Sequence, residues 1–211
     1  MRGGRPIRVL AVAARALMLV IWLQVPASAG SKDVPALQQA MLDRDHSAFR
    51  NLLEGGADPG AGDAHGRTAL HLAAMGKDTY WLDELLRRGT SPDLPNTITQ
   101  EPPLFDALRA RVPENIDLLL EGGARLDTRD RNGTTPLHQA AMVNDPASVL
   151  KFLEAGADPA AADNIGATFQ AYFYDGDPAM IDWSTHRSLR KISDWLRAHD
   201  VPVTAAILET L

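Results

Sequence analysis

Six histidines and a scatter of aspartates are the residues through which this 211-residue chain could do chemistry. A zinc site needs three or four His, Cys, Asp or Glu ligands at close spacing. His71 and His138 each precede an alanine pair and have no third ligand at useful spacing, and His46, His65, His186 and His199 stand alone. They read as ordinary polar side chains, so no metal is expected. The chain has no cysteine, which excludes disulfides, thiolate metal sites and a cysteine nucleophile. Among the carboxylates, Asp63, Asp130 and Asp163 recur at regular intervals beside glycines, and turn formation explains them without an acid–base pair. No serine sits in a nucleophile-elbow context, and neither a P-loop nor a Gly-x-Gly-x-x-Gly loop after a strand is present. The Asn132-Gly133-Thr134 sequon coincides with one of the same turns. Neither catalysis nor a cofactor is expected.

Composition points the same way. With 45% hydrophobic and 23% charged residues the chain can fill a core, which argues against disorder. Its net charge is −6, and residues 1–29 hold four arginines (Arg2, Arg5, Arg8, Arg15) and no acid. Without that segment the balance is −10, poor for a phosphate-backbone binder, so no nucleic-acid partner is expected. Residues 1–29 have the order of a secretory signal peptide: arginines, an apolar run from Ala16 to Val25, Pro26, then Ala27-Ser28-Ala29. A membrane anchor is the alternative, but the run is ten residues where a span needs about 20. Cleavage after Ala29, periplasmic location and no membrane span thereafter are the expectations.

The remainder repeats. Aligning Gly133 with Gly66 superposes Thr135 on Thr68, Leu137-His138 on Leu70-His71 and Ala140-Ala141-Met142 on Ala73-Ala74-Met75. Asp33, Gln100 and Gly166 start equivalent stretches, giving intervals of 33, 34, 33 and 33 residues. Regular repeats of this length signal a stack whose units bury their faces against each other. Thr135-Pro136 suits a helix start, and Gly56, Gly89, Gly123 and Gly156 fall where a left-handed helix cap is needed.

These motifs resemble the ankyrin repeat. Thr135-Pro136-Leu137-His138 matches its helix start in full, and Thr68-Ala69-Leu70-His71 lacks only the proline. The second-helix ending recurs at Leu52-Leu53, Leu85-Leu86, Leu119-Leu120 and Phe152-Leu153. The resemblance implies an all-α ankyrin-repeat solenoid over residues 30–211, with units at about 33–65, 66–98, 99–132, 133–165 and 166–211. It also implies that His71 and His138 lie inside the stack, bonded to backbone and to the capping threonine. The first and last units depart from the motif and read as caps. The third carries Phe105 in place of histidine and one extra residue between Gly89 and Gln100, an altered hairpin. In the fifth, an insertion within residues 175–188 delays the second helix, whose face is Leu189, Ile192, Trp195 and Leu196, and a short helix is expected around 205–211.

In proteins similar to this, partners sit on the concave face and hairpin tips. That implies a non-catalytic module, monomeric alone, binding another protein. Carried over position by position, the candidates are His65, Arg67, Glu101, Arg131 and Asn132 at hairpins, and Met75, Arg109 and Met142 on first helices. Tyr172 and Tyr174 lie close by in the last unit. Met75 and Met142 flanking Arg109 would form an adaptable apolar stripe with a cationic centre. Trp183 in the insertion is either a seal or an anchor. Two alternatives accompany this reading: a ligand-binding or enzymatic site on the insertion, and neutralisation of a toxic enzyme.

Overall fold

The computed structural model describes residues 34–173 and 183–204. The expected signal peptide (1–29), Tyr174, residues 175–182 of the insertion and the helix expected around 205–211 lie outside the described residues.

Helix pairs follow the sequence repeat: α1 (Ala36–Leu42) with α2 (His46–Glu54), α3 (Ala69–Met75) with α4 (Tyr80–Arg87), α5 (Pro103–Ala110) with α6 (Pro113–Glu121), and α7 (Pro136–Met142) with α8 (Pro146–Glu154). A 3-10 turn (Phe169–Tyr172) and α9 (Trp183–Ala198) form the fifth unit. First helices pack in succession, α1 on α3, α3 on α5, α5 on α7 and α7 on the 3-10 turn, while α8 supports α9. No helix among the described residues is long and apolar enough to cross a membrane. One core runs along the stack, with Phe49, Leu70, Leu82, Leu108, Leu119, Phe152 and Phe169 all closed to solvent. The helices have only 7–9 residues up to α8, too short to stand alone, so packing between units holds them.

Each second helix up to α8 ends the same way. After α2, the Gly56 and Ala57 amides donate to the Leu53 and Leu52 carbonyls. Gly56 has φ 82°, a left-handed backbone that a side chain would strain. First helices α1, α5 and α7 close with the same bonds, but the left-handed residue is Arg44, Arg111 or Asn144. Helix α3 does not. Gly76 is extended (φ −77°, ψ 147°), and the Asn115 side chain from α6 reaches across to the carbonyls of Ala73, Ala74 and Gly76 at 3.2, 2.9 and 2.7 Å.

The hairpins between units are Asx turns. Asp63, Asp130 and Asp163 each accept two amides of their own tip. In the third hairpin Asn96 takes this role, accepting from Ile98 and Thr99. The extra residue expected there lies in its tip, and left-handed Gln100 (φ 64°) stands where the others have glycine. Asparagine adds a donor that aspartate lacks, and its amide binds the His65 carbonyl of the previous tip.

The insertion differs from the sequence expectation. Residues 183–188 are helix, forming the first turn and a half of a 16-residue α9. Trp195 is only half-buried, while Leu189, Ile192, Ser193 and Leu196 face the core.

Candidate functional site

The histidines are structural. His71 Nδ1 accepts the Thr68 amide at 3.2 Å and lies 2.7 Å from the Thr68 hydroxyl. Its Nε2 is therefore the protonated nitrogen and donates to the Glu101 carbonyl at 3.0 Å. His138 repeats the arrangement with Thr135 and the Ala167 carbonyl. Burial holds the His71 pKa below its ordinary value, so this ring stays neutral. Each ring ties its own helix start to the hairpin of the next unit.

Glutamine does the same work in the outer units. Gln38 Nε2 donates to the Ala61 and Arg67 carbonyls, and Gln170 donates to the Pro202 carbonyl while accepting the Thr204 amide. The sequence contained a signal for this, since both glutamines occupy the histidine register. In the third unit Phe105 is buried at that place and fills it with apolar volume.

The outward positions of the first helices form a row. Leu42, Met75, Arg109 and Met142 occupy the same place in successive units, with Leu42 60% and Met142 41% exposed and Met75 half-buried. Leu42 belongs to this row although the sequence stripe began at Met75. Arg109 at the centre is not free. Its guanidinium donates to both Glu101 carboxylate oxygens (3.0 and 2.9 Å) and to Asp106 at 2.7 Å. Burial works against the Arg109 charge, but these two carboxylates outweigh it and keep its pKa above the ordinary value. Burial of Asp106 lifts its pKa in spite of Arg109. One cation against two carboxylates leaves the middle of the row with no surplus positive charge.

Among the hairpin candidates, His65, Arg131 and Asn132 are exposed at tips. Arg67 is bound to Asp63 of its own hairpin at 2.8 Å. Burial raises the Asp63 pKa, and the Arg67 and His65 bonds more than reverse it. Tyr172 donates its hydroxyl to Asp163, lowering the Asp163 pKa and raising its own, and its ring stands edge-on to His138. Trp183 begins α9, 74% exposed, with the Arg187 guanidinium 5.4 Å from its ring centre. The structure thus brings Met75, Glu101, Arg109 and Met142 onto one surface, and leaves Trp183 on a separate one.

Helix pairs stacked through buried polar side chains and glycine-capped turns define a helical-repeat solenoid, a class whose members present an extended surface. Residues 76–163 match the family of ankyrin repeats (3 copies). The chain is an ankyrin-repeat protein. It is 41% identical over 115 residues to protein PhlB of Serratia liquefaciens, covering 54% of this chain and 51% of PhlB. It is 36% identical over 91 residues to human cyclin-dependent kinase 4 inhibitor B, covering 43% of this chain and 65% of that one. Against the E3 ubiquitin-protein ligase KEG of Arabidopsis thaliana, identity is 31% over 145 residues, covering 63% of this chain and 9% of KEG. The chain thus spans about half of PhlB and less than two thirds of the other two. Ankyrin repeats are generally non-catalytic protein-interaction modules, and this one is a module of that kind.

Proposed function

We propose that the chain is an exported, non-catalytic protein that holds another protein against the face of its first helices. The carrying observation is the row of Leu42, Met75, Arg109 and Met142, large side chains left open at one position of successive units. Such a surface is set by the stack before a partner arrives, so little ordering is lost on association. The N-terminal arginines, apolar run and Ala-Ser-Ala site support periplasmic location. The test is capture from an envelope extract, with the Met75→Ala, Arg109→Ala, Met142→Ala triple variant beside the wild type. A stoichiometric partner lost in the folded variant is expected; equal retention by both sinks the reading. N-terminal sequencing of the envelope form checks export, with a start at Gly30 expected. Neutralisation of a toxic enzyme is a special case, visible if the captured partner is an enzyme inhibited by binding.

A second reading places a ligand or an activity on the fifth unit. Trp183, His186, Arg187 and Arg190 do line a crevice there, but it encloses only about 260 Å³. Small-molecule sites run to roughly 300–1,000 Å³, so protein binding is the better reading.

A further inference from the structure

The row of first-helix side chains ends, at the first two units, in a cleft of about 540 Å³. Its walls are Met41, Leu42, Leu72 and Trp81. Trp81 is fixed in place: 4% exposed, it meets Phe49 and His46 edge-on at ring distances of 5.0 and 4.2 Å. The cleft exists because of the altered turn after α3. The positions equivalent to Gly76 carry Asp43, Ala110 and Val143, whereas here there is no side chain and the backbone runs extended. Two cations, Arg44 and Lys77, occupy equivalent places in successive turns and form the rim.

These cations have no carboxylate within the molecule. Three acids share the edge, and each is held by other groups: Asp43 by the Gln39 amide, Asp45 by the amides of Ser47 and Ala48, and Asp78 by His46 and the Tyr80 amide. Among the described residues none forms an ion pair with Arg44 or Lys77. The rim thus contrasts with the centre of the row, where Arg109 is clamped by two carboxylates.

We propose that this cleft is an anchor pocket for an acidic segment of a partner protein, taking one large apolar side chain between Leu72 and Trp81 while flanking carboxylates meet Arg44 and Lys77. This rests on the protein-binding reading above and names the chemistry of its partner. An apolar side chain in a pre-formed pocket supplies affinity, and the charges supply orientation and exclude basic sequences.

Gly76→Val is the discriminating variant. The backbone there is open to a β-branched residue, and an added Cβ would meet only the Ala73 and Leu72 carbonyls, at ordinary distances of 3.4 and 3.7 Å. It fills the cleft without straining the turn. The probe is a fluorescein-labelled ten-residue peptide with a central Leu-Phe pair between glutamates, titrated by anisotropy into the full-length chain. Controls carry Ser-Ser at the centre, or lysines in place of the glutamates.

Binding of the first peptide alone is expected, weakened tenfold or more by Gly76→Val. The exposed Arg44→Ala, Lys77→Ala pair should weaken it as much and flatten its salt dependence, with an unchanged melting curve. Equal binding of the Ser-Ser peptide, full binding by folded Gly76→Val, or no binding to the wild type overturns the pocket. In envelope capture, a partner held alike by wild type and Gly76→Val overturns the pocket and leaves the protein-binding reading standing. Loss of capture in the Met75, Arg109, Met142 variant bears on that reading alone.

Discussion

The two ends of the first helices are built on opposite principles. At the N-terminal ends, Gln38, His71, His138 and Gln170 each send a buried side-chain donor to a carbonyl of the following segment, all at 2.9–3.1 Å. At the C-terminal ends, α1, α5 and α7 close on themselves through a left-handed residue. Bonds that cross between units there, Arg111 to the Val143 carbonyl and His46 to Asp78, are exposed. Asn115 is the buried exception. One edge therefore sets the spacing of the stack, and the other is free to vary in charge and shape without disturbing its neighbours. The candidate pocket lies on the free edge.

The contrast can be broken most severely at the wired edge. His138→Ala removes contacts to Thr135 and Ala167 inside the core and should cost about 2–4 kcal/mol in urea unfolding. A cost under about 0.5 kcal/mol, the level of an ordinary surface change, would erase the distinction. Asn115→Leu tests the exception: with three carbonyls of the α3 end losing their donor, a loss of about 2 kcal/mol is expected in the same measurement.

Protonation offers a milder perturbation. His71 has a folded pKa below its unfolded value of 6.5, so the unfolded chain takes up its proton first. Its contribution is full above pH 6.5 and declines as pH falls toward the folded pKa, by at most about 1.4 kcal/mol per pH unit. Asp106 acts oppositely: its folded pKa lies above 3.8, so the folded state holds that proton longer and stability declines as pH rises through that window. Following the ring signals of His71 by NMR checks the first sign; a midpoint at or above 6.5 contradicts it. The smallest effect belongs to the free edge. Arg44→Gly relieves a left-handed φ of 56° and should move stability by less than about 1 kcal/mol, toward stabilisation, in a melting experiment.

The wired edge was legible in sequence because its chemistry admits few residue types. Threonine must cap, histidine must donate one way and accept the other, and glycine must turn left-handed. Hence Thr135, His138 and Gly156 announced themselves by identity and interval. Gln38 and Gln170 did not, since an amide can replace an imidazole and only their register betrayed it. The row of outward side chains was visible at Met75 and Met142 but not at Leu42, where the surrounding motif had dissolved. The cleft was invisible: it depends on the extended path of Gly76, which nothing in the residue types dictates. The start of α9 was misplaced for a related reason. Leu189, Ile192 and Leu196 mark only the packed part of that helix, while 183–188 makes no apolar stripe to read.

Gln170 carries a last consequence. A structure assembled by repetition offers, at its final unit, the same face that received every unit before it, and such a face can accept a second molecule head to tail. Head-to-tail contacts that do not close on themselves grow into fibres. Here the Gln170 amide is already occupied by the peptide at Pro202 and Thr204, which stands where a further hairpin would dock. That strand of backbone makes the molecule finite, and so keeps a protein made of interchangeable parts from polymerising through them.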